Sequence, residues 1–341
     1  MNIILSIDYE IFGDGSGSMN ACMVKPLDKM LALSSQYNAL LSIFAETMEI
    51  KALQASKHFK VEADAVCQQL QSASKNGHDV QLHLHPQWQD AGFSGDQLNP
   101  LNTEKWRIGN LAKDETTQLI KEGKQWLEQL IRPICEDYQC VAFRAGGWCI
   151  QPSQAIIESL QENDIALDST VAPGAKSTSK ADWFDFSKAP QNKAYWKADN
   201  DVMKPATKGI YELPIATGRI GLFNHLRIIL DNMSHDSLAP DCSGSYSIPG
   251  VKDSRLLSKF RKLSNLGHVM LDISTMPAET LIKITSDWQK KFPNDTNVTA
   301  VAIGHTKNFS KRSALEFEKY LQWAEQHNHQ FITYQQWLKN H

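Results

Sequence analysis

Asp79-Val80-Gln81-Leu82-His83-Leu84-His85-Pro86 carries a strand-like run straight into two histidines spaced two apart. Residues i and i+2 of an extended strand project to one face, so a His-x-His at a strand end aims two imidazoles at a single point. Imidazole nitrogen suits zinc and neighbouring transition metals, and two such ligands need one carboxylate to complete a three-ligand site with an open position. Taken alone, the pair has a plainer reading in which one histidine packs and the other is solvated. The N-terminus shifts the balance. Asn2-Ile3-Ile4-Leu5-Ser6-Ile7 is a nearly continuous apolar run, of the kind buried in a parallel sheet, and it leads directly into Asp8-Tyr9-Glu10. Asp8 and Glu10 share a face. Carboxylates at the C-terminal end of a buried strand are costly unless paired, protonated or bound to a cation, and that end is where sites assemble in parallel α/β folds. A solvated strand end or a helix cap is the plainer alternative. The loop Gly13-Asp14-Gly15-Ser16-Gly17 permits close backbone approach but lacks the Lys-Ser/Thr of a phosphate loop.

The chain has 341 residues, 42% hydrophobic and 21% charged, enough for one large α/β domain or two smaller ones. A net charge of -3 provides no electrostatic footprint for nucleic acid or an anionic membrane. The start lacks the basic and apolar regions of a leader, and no stretch approaches a membrane span, so a cytoplasmic location is expected. The six cysteines (Cys22, Cys67, Cys135, Cys140, Cys149, Cys242) include no CxxC and read as reduced thiols used as small hydrophobes; a disulfide framework is not expected.

Apolar runs alternate with amphipathic ones along the whole chain. Strands are expected at 39–45, 79–84, 140–144, 165–170, 209–214, 268–273, 298–303 and 331–333, with helices at 26–37, 63–75, 115–131, 153–162, 279–292 and 313–326. Asn76-Gly77 supplies a left-handed stop to the second helix. No repeat or linker divides the series. The expectation is one domain over 1–341, with irregular insertions near 87–113, 174–208 and 223–253, the first forming a rim over the site. Strand ends also carry Arg144, Asp168, Glu212, Asp272 and His305. Glu212 reads as an edge charge, Asp272 as a cap and Asp168 as a possible N-cap. Arg144 and His305 read as functional, because they recur at strand ends in register with the metal candidates.

The ordered set Ser6-Ile7-Asp8-Tyr9-Glu10, Gly77-His78-Asp79 through His85, Phe143-Arg144-Ala145-Gly146-Gly147-Trp148, Leu167-Asp168-Ser169-Thr170, Glu212-Leu213-Pro214 and Ile303-Gly304-His305 resembles the polysaccharide deacetylase family with its NodB-homology domain. Within that family it is most similar to the WalW-like branch associated with surface-polysaccharide loci, and the resemblance covers nearly the whole chain. It implies a distorted (β/α) barrel of about seven strands that hydrolyses N- or O-acetyl groups of carbohydrates with a divalent metal, most often Zn²⁺. Asp8 matches the family's catalytic base, Arg144 the arginine that orients it, and His305 the general acid. Tyr9 occupies the position of a metal-binding aspartate, which leaves Glu10 to take its place, with Asp8 as an alternative ligand. His83 matches the first histidine of the metal motif. Gln87 stands where the second belongs, and His85 replaces it. The family's prolines after the arginine are Ala145 and Gly146 here.

On this resemblance Asp8 removes a proton from the attacking water, Arg144 keeps Asp8 ionised, and His305 protonates the departing group. The expected partner is an acetylated carbohydrate. Trp88, Trp106, Trp148 and Trp183 are candidate platforms for sugar faces. Two other classes compete. A (β/α)₈ amidohydrolase also uses His-x-His, but on its first strand and with a bridging lysine. A barrel that has lost turnover and only binds carbohydrate would account for Tyr9 and Gln87.

Overall fold

A computed structural model describes residues 1–179, 183–221, 228, 237–245, 268–293, 295 and 297–341. Its strands are β1 (Asn2–Tyr9), β2 (Leu41–Glu46), β3 (Asp79–Leu84), β4 (Phe93–Ser94), β5 (Gln97–Leu98), β6 (Ala142–Ala145), β7 (Leu167–Asp168), β8 (Lys176–Thr178), β9 (Trp183–Asp185), β10 (Trp196–Ala198), β11 (Ile210–Glu212), β12 (Thr217–Arg219), β13 (His268–Met270), β14 (Thr299–His305) and β15 (Gln330–Phe331). Nine of them form one sheet in the order β10-β11-β7-β6-β3-β2-β1-β14, with β15 pairing to the first residues of β1. Every pairing in this sheet is parallel except β10 to β11.

Helices cross between the parallel strands and cover both faces, so β1, β2 and β3 are buried at nearly every position, even though β3 alternates polar and apolar residues. The sheet curls until its two sides nearly meet. Short segments fill the seam: Ile215 bridges Val301, Asp272 bridges Ile303, and the Leu271 N–H donates to the Ala216 carbonyl at 2.8 Å. The result is a distorted (β/α) barrel whose wall between β14 and β11 is patched by irregular chain. Nine strands replace the expected seven: β10 was not foreseen, the strand expected at 331–333 is the short β15, and the one expected at 268–273 pairs with β12 outside this sheet. The helix Lys60–Lys75 stops at Gly77, whose φ of +87° is the left-handed conformation the Asn-Gly pair predicts.

Other details differ from the sequence reading. The strand expected at 165–170 shrinks to β7, since Asp168 folds its carboxylate back onto Thr170 N–H and Oγ1. A helix over Thr47–Ala55 was not foreseen; the Glu46 carboxylate caps it by accepting from Met48 and Glu49 N–H. The stretch 87–113 holds the β4-β5 hairpin and short 3₁₀ turns, and 174–208 holds β8, β9 and β10. Most of the insertion expected at 223–253 lies outside the described residues. Cys22 and Cys242 form a disulfide across 220 positions, which corrects the expectation that all six thiols are reduced; such bonds persist in oxidising compartments. Spacing arguments could not find it, because the fold alone brings the two together. Among the described residues no helix is long and apolar enough to cross a membrane.

Candidate metal centre

β1 and β3 end on the same side of the sheet, and their last residues meet. Glu10 Oε2 lies 2.7 Å from His85 Nε2 and 3.3 Å from His83 Nε2, and one donor atom from each of the three residues falls within 4.8 Å of the others. All three side chains are buried. Neither Nε2 has a hydrogen-bond partner, so the short contacts to Glu10 are attractions between groups turned toward a common point rather than aligned hydrogen bonds. His83 Nδ1 donates to the Arg144 carbonyl at 2.9 Å, and a carbonyl only accepts, so Nδ1 carries a proton and Nε2 faces the cluster. Gln87 Nε2 stands 3.1 Å from His85 Nδ1 while Gln87 Oε1 has no partner. Gln87 Nε2 also donates to the Gly13 carbonyl at 3.3 Å. Two imidazoles and a carboxylate, buried and orphaned at the tips, fit a borderline divalent cation such as zinc.

Burial lowers the His83 pKa, but Asp8 and Glu10 outweigh it and raise it to about 9. Burial pushes Glu10 upward, yet Lys307 and the two histidines hold it well below the ordinary carboxylate range. Glu46 and Glu49 are also buried beside the cluster, and burial raises the pKa of both, Glu49 more strongly.

Asp8 sits beside this cluster on the same strand. Arg144 Nη1 donates to its Oδ1 at 2.6 Å, and His305 Nε2 lies 3.5 Å from Oδ2. Burial raises the Asp8 pKa, and Arg144, followed by His83 and His305, brings it below its usual value. Arg144 is fully buried. Its Nε donates to the Ser169 carbonyl at 2.8 Å, and Nη2 donates to Ser6 Oγ at 2.8 Å and to Tyr334 Oη at 3.2 Å. For His305, burial lowers the pKa against the pull of Asp8, and the ring is neutral at pH 7.

Asp8, Glu10, His83, His85 and His305 line one cavity of about 350 Å³, and Arg144 stands behind Asp8 rather than on its wall. Trp106 and Trp148 also line it. Trp88 is packed in the core, and Trp183 lies outside the cavity with Arg107 over its ring at 5.2 Å. Trp148 has φ +57°, an unusual backbone for a bulky residue, and its ring meets His305 edge-on at 5.9 Å. Tyr9 points to the opposite face and donates to Gln69 Oε1, so it has no access to the cluster. Gly146 packs against His85 so closely that a Cβ there would lie 2.5 Å from the ring. Asp272 also lines the cavity, with its carboxylate capping Ser274 and Thr275. Glu212 is no edge charge: it is fully buried beside Asp168, and burial raises its pKa well above the usual range.

Two contributors escaped the sequence reading. Lys307 donates to Glu10 Oε1 at 2.6 Å and to the Ile11 carbonyl at 2.8 Å; its position two residues after His305 was the available signal. Tyr334, from the helix Tyr334–Leu338, had none, because its contact with Arg144 is purely tertiary.

No protein-family model matches the chain, and no curated protein matches it in sequence. Solved structures do share its fold. A candidate polysaccharide deacetylase from Mycobacterium smegmatis is 11% identical over 99% of this chain and 89% of its own, with a TM-score of 0.50. PuuE allantoinase is 11% identical over 98% and 88%, also at 0.50. A GH57-type branching enzyme from Pyrococcus horikoshii is 10% identical over 99% and 70%, at 0.53. The likeness defines the architecture as a NodB-like distorted (β/α) barrel.

Proposed function

We propose that this protein is a metal-dependent hydrolase of the polysaccharide deacetylase type, removing an acetyl group from an N- or O-acetylated carbohydrate of a cell-surface polysaccharide or its precursor. The observation that carries the reading is the Nε2 pair of His83 and His85 facing Glu10, two residues from an Asp8 held by Arg144. Glu10, His83 and His85 would hold the cation, zinc by the nature of the donors. When bound, such a cation acidifies water and polarises an acyl carbonyl.

The residues of the chain do the rest. Arg144 keeps Asp8 ionised and fixes its carboxylate, so Asp8 is available to take a proton from water at neutral pH. His305 starts neutral and lies 3.5 Å from Asp8 Oδ2, placed to receive that proton and deliver it to the departing nitrogen or oxygen. Lys307 occupies Glu10 Oε1 and so turns Oε2 toward the histidines. His85 takes the part that Gln87 leaves vacant relative to the family, and Gly146 makes room for its ring where the family carries a proline. Trp106 and Trp148 bound the space a sugar would fill.

A second reading, hydrolysis of a C–N bond in a small cyclic amide, is favoured by the shared fold of PuuE allantoinase. The test is metal analysis of the purified protein, followed by acetate release from a panel of N- and O-acetylated sugars with allantoin alongside. Stoichiometric zinc with acetate release supports the proposal. Turnover of allantoin alone supports the second reading, and protein that neither holds nor takes up metal overturns both.

A further inference from the structure

At Trp148 and Asp272 the cavity of the candidate centre adjoins a second hollow of about 290 Å³, walled in part by Phe184 and His268. His268 in turn lines a third hollow, of about 550 Å³, together with Arg219 and Lys291. The three share walls and form a track that begins at the metal candidates and ends among basic side chains.

Arg219 and His268 are direct cross-strand partners in the β12-β13 pair. Lys291 ends the helix Ala278–Lys291, its ammonium 5.4 Å from the Trp288 ring centre. Basic groups brought together repel one another unless an anion lies between them. Among the described residues no carboxylate pairs with Arg219 or Lys291, and the acid on the wall, Asp287, is bound to Lys283. Burial, then Arg219 and Lys291, holds the His268 pKa below its ordinary value, leaving a neutral ring with an N–H to donate at pH 7. Gly174, at φ +89°, approaches this ring so closely that a Cβ would lie 2.5 Å from Nε2. The helix C-terminus accounts for a lysine at 291 but not for an arginine on the facing strands.

The geometry points to a subsite in which Arg219, His268 and Lys291 hold an anionic group, carboxylate or phosphate, on a sugar removed from the one that is deacetylated. The inference rests on the deacetylase reading and names its substrate class: an acidic oligosaccharide, with the sugar faces between the two ends passing Trp148 and Phe184.

The test is NMR of the His268 ring in the full chain, assigned with His268→Gln, during titration with trigalacturonate, inorganic phosphate and a neutral galactose trisaccharide. Trigalacturonate or phosphate moves the His268 resonance, the stronger of the two identifying the anion, and the neutral sugar does not. Arg219→Gln with Lys291→Gln weakens that binding by about tenfold or more, the scale of lost charge-assisted hydrogen bonds. The subsite is overturned if neither anion moves His268, or if the double variant, folded by circular dichroism, binds as tightly as the wild type. Acetate release is scored separately. Anion binding without acetate release from any acetylated sugar overturns the deacetylase reading alone, and acetate release without anion binding overturns the subsite alone.

Discussion

The two ends of β3 are equally buried and differently finished. At its start, Asp79 accepts from Gln81 Nε2 at 2.6 Å, from Gln335 Nε2 at 3.0 Å and from Gln335 N–H at 3.3 Å, so both carboxylate oxygens have protein donors. At its end, Nε2 of His83 and of His85 has none; nearby, Glu46 Oε2, Gln87 Oε1 and Trp148 Nε1 are also buried without partners. Buried polar atoms are almost always satisfied, and at Asp79 the chain supplies a donor to each carboxylate oxygen. The concentration of orphans at one end marks where something from outside the chain is accommodated.

The sharpest way to break this contrast is to remove an imidazole. His83→Ala or His85→Ala abolishes stoichiometric metal, measured by elemental analysis, and activity falls with it; losing a group that touches the metal typically costs far more than the roughly 10–100-fold lost when a residue behind such a ligand is changed. A variant that stays loaded would mean that the open end of β3 is not a ligand site. Next in size is Asp8→Asn, which keeps metal while turnover drops by about 10²-fold or more, the usual effect of losing a general base. Should Asp8→Asn purify without metal while Glu10→Gln remains loaded, the two carboxylates have exchanged roles. Gly146→Ala is milder: its Cβ displaces the His85 ring, and metal affinity, measured by competition with a chelator, falls by about tenfold.

The smallest effect belongs to the closed end. Burial raises the Asp79 pKa from 3.8 to about 6. Because the folded value lies above the unfolded one, the protonated form favours folding, and this contribution is lost as pH rises through about 6. Asp79→Asn flattens the dependence of unfolding free energy on pH between about 4 and 6, followed by urea denaturation, and leaves metal content unchanged. A variant that loses metal would join the two ends of the strand into one functional unit.

β1 was legible because a parallel sheet covered on both faces favours nearly continuous apolar runs, as at 2–7, whereas β3 at 79–84 was legible from its alternation of polar and apolar residues. The position of the candidate site was legible for the same reason: Asp8, Glu10, His83, His85 and His305 are polar residues placed where those runs stop. What was not legible depends on neighbours distant in sequence. Glu212 read as an edge charge because nothing local reveals that β10 covers β11 and that Asp168 lies alongside. Tyr334, the Cys22–Cys242 bond and the buried Glu46 and Glu49 likewise acquire their surroundings only from the closed barrel.

The placement of β1 has a consequence for how the molecule is made. Asn2 finds its partners at Thr299 and Gln330, and β14 covers one edge of β1 along almost its whole length. On a ribosome extending the chain at about 5–20 residues per second, that edge waits roughly 15–60 s for its partner. During this interval Ile3, Ile4, Leu5 and Ile7 belong to a strand with unpaired N–H and C=O groups, open to another nascent copy. Closure of the barrel by β14 removes that open edge from the finished molecule.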